Sequence, residues 1–346
     1  MSSNTASELD NGQLAAYLEQ HVPGFSGPVQ LEKFDQGQSN PSYLVNSASG
    51  PYVLRSKPYG ELLSSAHAVD REYRVLSALQ TTAVPVPRPL HLCREETVTG
   101  AMFYLMSYEK GRIFWNPALP ELPREQRRQV LEAQVEVLAA MHNVDVDAVG
   151  LGDFGPRKGY YQRQITRWTK QYRASETDSI PSMAALMDWL PGNIPDSGDT
   201  VSLIHGDYRL DNLIYHPTES SVLAVLDWEL STLGHPLSDL AYLCACMRLP
   251  KVGPLQGLAG KDRDALGVPE EVELVSQYCR LRGIEKIEAW PFYLAFSFFR
   301  LAAICQGVYK RARQGNASDS AAATRDNVTF QLADMAIELL KEESML

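Results

Sequence analysis

Cysteine is scarce: five in 346 residues, at Cys93, Cys244, Cys246, Cys279 and Cys305. An odd count without metal-like spacing excludes a disulfide-stapled scaffold and a cysteine zinc site. Cys244 and Cys246 sit one residue apart in an apolar run, where free cysteine behaves as a small core hydrophobe. Reduced thiols fit the cytoplasm, which is the expected location. Positive charge is in deficit, with 32 Lys and Arg against 42 Asp and Glu, a formal net charge of −10. Nucleic acid and an anionic membrane are therefore not expected as partners. The opening residues, MSSNTASELDNGQ, carry neither a basic nor an apolar leader, so no secretory signal is expected. The longest apolar segment, Pro291 to Cys305, is broken by Arg300 and falls short of a bilayer span. Gly260-Lys261 lacks the earlier glycine and the following Ser or Thr of a Walker loop.

What is present is ordinary in bulk: 45% hydrophobic and 21% charged residues, enough chain for one large domain or two lobes. The informative stretch runs from Val201 to Leu240. Two apolar runs, Val201–Ile204 and Val222–Leu226, have the length of strands, and each ends at a polar cluster. The first delivers His205-Gly206-Asp207 and then Asn212; the second delivers Asp227-Trp228-Glu229. The segment 212–215 pairs with the second run across the polar turn 216–220, which brings Asp207, Asn212 and Asp227 to one rim. Two carboxylates about 4 Å apart repel by roughly 4 kcal/mol at an effective dielectric near 20. Such a cluster is kept by protonation, by Arg or Lys, or by a cation. Arg209 is the sole Arg or Lys between His205 and Asp239, so internal pairing falls short. The oxygen-only set Asp, Asn and Asp suits Mg²⁺ sharing its shell with phosphates and water.

The pattern HGDYRLDN, then LDWE, then HPLSDLAYL resembles the aminoglycoside phosphotransferase and choline kinase branch of the protein-kinase-like superfamily. More narrowly, it is similar to the kinase-like segment of acyl-CoA dehydrogenase fusion proteins. YVLRSKP, LLSSAHAVDREYRVLSAL and LAAMHNVDVDAVGLGDFG support the likeness, which covers the chain from about Gly24 to the last helix. It implies an α+β, bilobal protein-kinase-like fold. A small antiparallel-sheet lobe would span residues 1–110, with a hinge near 107–111. A larger helical lobe would span 111–346, holding the catalytic loop 205–212, the metal Asp at 227 and an acceptor-site insertion at about 157–200.

The implied activity is transfer of the γ-phosphate of ATP, with Mg²⁺, to a hydroxyl of a small molecule, such as a hydroxy acid or hydroxyacyl compound. The alternative is a catalytically silent nucleotide- or metabolite-binding protein of the same fold. Asp207 is the implied base, with Asn212 and Asp227 as metal ligands. His205 supports the loop, and Asp239 braces it by accepting backbone N–H bonds. His235 stands where relatives often carry Asp. Between strands at 29–34 and 42–45, a loop with Gly37, Ser39 and Asn40 offers N–H groups to phosphates. Arg55 stands where a kinase's third strand usually carries Lys; it keeps the charge and adds a forked donor, with Lys57 as second candidate. Glu72, on a helix from about His67 to Gln80 capped by Ser64 or Ser65, is the acid expected to pair with that cation. Met106, Ser107 and Tyr108 are expected at the adenine edge. Candidates for the acceptor site are Arg209, Glu229, Tyr161, Arg163 and Trp168. Tyr161 and Trp168 share a helix face with Gln164 and Tyr172 that suits core packing equally well.

Overall fold

A computed structural model describes residues 10–34, 40–58, 68–196, 200–251, 256–314 and 327–346. The chain divides into two units, 1–112 with 214–230, and 113–213 with 231–346.

The first unit begins with α1 (Asn11–His21). Its cap is Asp10, whose carboxylate accepts from the N–H groups of Gly12 and Gln13 at 2.9 and 3.0 Å. Strands β1 (Gln30–Lys33), β2 (Ser42–Ser47) and β3 (Gly50–Ser56) follow, then helix α2 (Val69–Leu79). After them come β4 (Pro89–Cys93), the single turn α3 (Glu96–Thr99) and β5 (Phe103–Ser107). The five strands form one antiparallel sheet in the order β1-β2-β3-β5-β4. Side chains alternate across a sheet, so Leu54 and Leu105 join Leu14, Leu18, Phe25 and Phe103 in the core. Arg55 and its cross-strand partner Tyr104 point to the opposite face. Helix α2 lacks a side-chain cap bond at its Ala68 cap. Ser64, Ser65 and His67 lie outside the described residues.

The second unit opens with α4 (Arg124–His142), α5 (Tyr160–Ser175) and α6 (Pro181–Trp189), then the short strand β6 (Ser202–Ile204). The chain next forms the β7 (Leu213–Tyr215) and β8 (Val222–Val225) hairpin that the sequence predicts. Most of that hairpin, with Asp227, belongs to the first unit, which corrects a boundary drawn once at 110. Arg112 and Tyr215 exchange backbone bonds of 2.8 Å in both directions, and Val225 N–H reaches Pro85 O at 2.9 Å. A Cβ on Gly111 would collide with Tyr215 O, so this approach needs glycine.

Strand β9 (Thr232–Gly234) returns to pair with β6, a partner too short for its sequence to announce. Helices α7 (Leu237–Arg248), α8 (Arg263–Leu266), α9 (Glu271–Arg282), α10 (Trp290–Arg313) and α11 (Thr329–Glu342) complete the unit. By length and composition α10 is long and apolar enough to cross a membrane, unlike the interrupted segment read from sequence. Yet 78% of its most apolar window is buried inside the protein. It packs against α5, α7 and α11.

Candidate active site

In the first unit the sheet presents Arg55 and Tyr104 to α2, whose buried face includes Glu72. Arg55 Nε lies 2.7 Å from Glu72 Oε2, and Arg55 Nη2 lies 2.6 Å from Asp227 Oδ1. Glu72 is 1% exposed and also accepts from Asn40 Nδ2 at 2.7 Å and Tyr104 OH at 3.1 Å. The expected pairing of the β3 cation with Glu72 is thus present at Arg55. Burial alone would weaken the hold of Arg55 on its proton, but Glu72, Tyr104 and Asp227 outweigh it and keep the cation charged. Burial pushes the Glu72 carboxyl up, against the pull of Arg55 and the bonds from Tyr104 and Asn40. Breaking a largely buried pair by removing one partner strands a charge. Glu72→Leu is therefore expected to lower unfolding free energy by about 3 kcal/mol in urea titrations, since Asp227 compensates Arg55 only in part.

The shortage of internal pairing inferred from sequence is met from outside that stretch. Asp227 does have a cation partner, and β3 supplies it. Asp227 adopts φ +62°, a left-handed conformation that costs a non-glycine residue about 1 kcal/mol. Asp tolerates it better than most residues, and the neighbouring Trp228 is anchored by a 3.1 Å bond from its indole N–H to Val225 O. Glu229, in a one-turn helix from Trp228 to Leu230, is half-buried, and its charge is felt at Arg55.

Of the remaining nucleotide candidates, Asn40 is buried and spends its amide on Glu72. Gly37 and Ser39 lie outside the described residues. Met106 is buried at the end of β5, while Tyr108 is exposed. The Ser107 N–H is taken by Arg88 O at 2.9 Å, and its hydroxyl donates to Glu109 at 2.5 Å. The Ser107 N–H is therefore engaged within the first unit.

In the second unit the loop 205–212 hangs from Asp239, at the start of α7. Its fully buried carboxylate accepts the N–H groups of His205 at 2.7 Å and Gly206 at 3.0 Å. Burial would raise the Asp239 pKa, but His142, His205 and those bonds pull it below the usual range. His205 is buried, and its Nδ1 accepts the Asp207 N–H at 3.2 Å. Gly206 has φ +85°. Asn212 Nδ2 donates to Asp207 O at 2.8 Å and Oδ2 at 3.1 Å, and its amide oxygen has no partner among the described residues. The other Asp207 oxygen, Oδ1, accepts from Tyr242 OH at 2.8 Å and lies 3.7 Å from Arg209 Nε. Arg209 also pairs closely with Asp211. Arg300 donates to Gly206 O.

The acceptor candidates are not brought together. Tyr161 is packed among Tyr160, His235, Phe292, Tyr293 and Phe296. Trp168 lies under Arg300, with its N–H on Gln164 Oε1 at 3.0 Å. Their helix face is therefore core, because α5 packs on α10. Arg163 projects from the other side, donating to Pro156 O at 2.8 Å. Arg209 is held by the loop's own carboxylates.

His235, the departure from Asp, has a structural account. Its Nδ1 accepts the Leu237 N–H at 3.3 Å at the opening of α7, the part an Asp oxygen would play. Burial, reinforced by His142 and Arg282, lowers its pKa to about 4. Below the unfolded value near 6.5 the unfolded chain binds a proton that the folded chain refuses, so stability rises with pH across this window. Unfolding free energy is expected to fall by about 3 kcal/mol from pH 6.5 to 4 through this group. His235→Gln should flatten that part of the profile in urea titrations.

The fold is of the protein-kinase-like α+β class. The model for the phosphotransferase enzyme family APH matches residues 30–274. Acyl-CoA dehydrogenase family member 10 of Mus musculus is 47% identical over 332 residues, 94% of this chain and 31% of that protein. The chain thus spans about a third of that relative. A crystal structure from Ralstonia eutropha, provisionally named an aminoglycoside phosphotransferase, has 46% identity and a TM-score of 0.89. It covers 97% of this chain and 99% of its own. Two more distant structures share the fold. Aminoglycoside phosphotransferase APH(4)-Ia with ADP and hygromycin B has TM-score 0.60 and 16% identity, over 94% of this chain and 97% of that one. Choline kinase of Cryptosporidium parvum has TM-score 0.62 and 13% identity, over 97% and 98%. The chain belongs to the phosphotransferase enzyme family.

Proposed function

We propose that this protein transfers the γ-phosphate of ATP to a hydroxyl group of a small molecule. The observation that carries the reading is the loop 205–212, in which Asp239 fixes the backbone while Asn212 and Tyr242 hold the Asp207 carboxylate. Asp207 accepts the proton of the acceptor hydroxyl as its oxygen bonds to the γ-phosphorus. The bond from that phosphorus to the β–γ bridging oxygen breaks, and ADP leaves with the electron pair. The products are phosphorylated acceptor, ADP and a proton. Positioning and charge neutralisation supply most of the acceleration in this chemistry.

Arg55, braced by Glu72, is assigned to the phosphates, and the peptide groups after Ser107 to the base. Asn212 and Asp227 are assigned to Mg²⁺, which neutralises phosphate charge when bound. Their oxygen donors fit it: the Asn212 amide oxygen has no partner among the described residues, and Asp227 is one-third exposed. Among the described residues no group of three or more His, Cys, Asp or Glu could hold a metal ion, so phosphates and water must complete the shell. The acceptor class we favour is a hydroxy acid or hydroxyacyl compound, supported by the likeness to an acyl-CoA dehydrogenase family member. ADP formation from MgATP with hydroxy acids, hydroxyacyl-CoA thioesters, amino alcohols and sugars tests this. Acceptor-dependent ADP release is expected. Nucleotide binding without turnover on any of them would favour the silent binding protein.

A further inference from the structure

Asp207 is the assigned base, yet its carboxylate orientation depends on two residues far away in sequence. Tyr242, on α7, donates its hydroxyl to Asp207 Oδ1 at 2.8 Å. Arg300, on α10, donates to the carbonyl of Gly206, the residue just before that base. The Arg300 guanidinium lies over two rings, 5.4 Å from the centre of Tyr242 and 5.6 Å from that of Trp168. A cation over an aromatic face is attracted by the ring, so Arg300 locks Tyr242 from one side while holding the loop backbone from the other. Arg300 is 5% exposed, and its Nε is buried without an acceptor among the described residues. A charge placed so expensively is not there for general packing. Burial also raises the Tyr242 pKa well above its ordinary value, which keeps the hydroxyl a donor.

We infer that Tyr242, clamped by Arg300 over Trp168, is the positioning residue that fixes the Asp207 carboxylate plane for phosphotransfer. One oxygen is tied to Tyr242 and the other to Asn212. A carboxylate has about four lone-pair sites, so each oxygen keeps room for an acceptor hydroxyl. The bonds choose the direction of approach rather than block it. This rests on the phosphotransfer reading, and it adds two residues that the catalytic-loop pattern does not contain.

Tyr242→Phe keeps the ring under Arg300 and removes only the hydroxyl. The expected result is a fall in kcat of roughly tenfold to a hundredfold, the scale of a misplaced reacting group. KM for MgATP and the unfolding temperature should stay close to wild type. Arg300→Lys should recover more turnover than Arg300→Met. Wild-type kcat in Tyr242→Phe, or a loss that falls equally on KM for MgATP and on stability, overturns the inference. A second readout needs no turnover: the Tyr242 hydroxyl proton should give an exchange-protected NMR resonance, lost in Tyr242→Phe and displaced in Asp207→Asn. Indifference of that resonance to Asp207→Asn overturns the contact itself. Absence of ADP formation by wild type on every acceptor overturns the phosphotransfer reading instead, while the resonance still decides whether Tyr242 holds Asp207.

Discussion

Asp207→Asn should lower kcat by about 10³-fold while MgATP binds within twofold of wild type, as read by calorimetry and steady-state rates. The substitution is nearly isosteric. It keeps an oxygen able to accept from Tyr242 or Asn212, so the loop retains its shape. What it removes is the group proposed to accept the proton of the attacking hydroxyl. The loop backbone is held independently, by Asp239 on the His205 and Gly206 N–H groups. A loss confined to kcat therefore isolates chemistry from folding. An equal loss of MgATP affinity would show that Asp207 serves the nucleotide and not the acceptor.

Asp227→Ala is expected to act on the other quantity. Partners of metal ligands outside the first coordination sphere already change metal affinity by about 10- to 100-fold, so a direct ligand should be worth at least about a hundredfold in MgATP affinity. The first unit should tolerate the change. Arg55 loses its 2.6 Å contact with Asp227 but keeps the 2.7 Å pair with buried Glu72, leaving one cation with one anion. Alanine gains nothing at φ +62°, where Asp is among the better tolerated residues, so a small loss of under about 1 kcal/mol is expected there. Calorimetric titration with MgATP should thus show greatly weakened binding in a protein whose urea midpoint has barely moved. A collapsed midpoint with unchanged affinity would make Asp227 a structural residue.

The contrast between these two variants reflects what the sequence could reveal. The two polar clusters stood out because runs of four or five mainly apolar residues end at them, and their spacing survives in a linear reading. Glu72 could be paired with Arg55 only by likeness to a family, because nothing local distinguishes a buried Glu in a helix from a solvated one. The cation partner of Asp227 was out of reach for a related reason. Arg55 lies 172 positions away, and a count of charges along one stretch cannot see across a sheet.

The second unit hid its positioning residues in different ways. Arg300 had a signal, as the one charge in the apolar run from Pro291 to Cys305, but it reads there as an interruption. Tyr242 had none, since an aromatic in LAYLCACM is what a buried helix should contain. Tyr161 and Trp168 show the reverse ambiguity. Aromatic spacing on α5 suited a ligand wall and a core equally, and packing against α10 decided for the core. Strand β9 escaped because three residues carry too little pattern for a period-2 reading.

Phosphorus NMR on a mixture of protein, MgATP and the acceptor panel tests the central claim most directly. The γ-phosphorus signal of ATP should give way to a phosphomonoester signal that grows in step with ADP, and Asp207→Asn should not produce it despite binding MgATP. A phosphate signal that ends only as inorganic phosphate, or a phosphomonoester formed as fast by Asp207→Asn, would contradict the account.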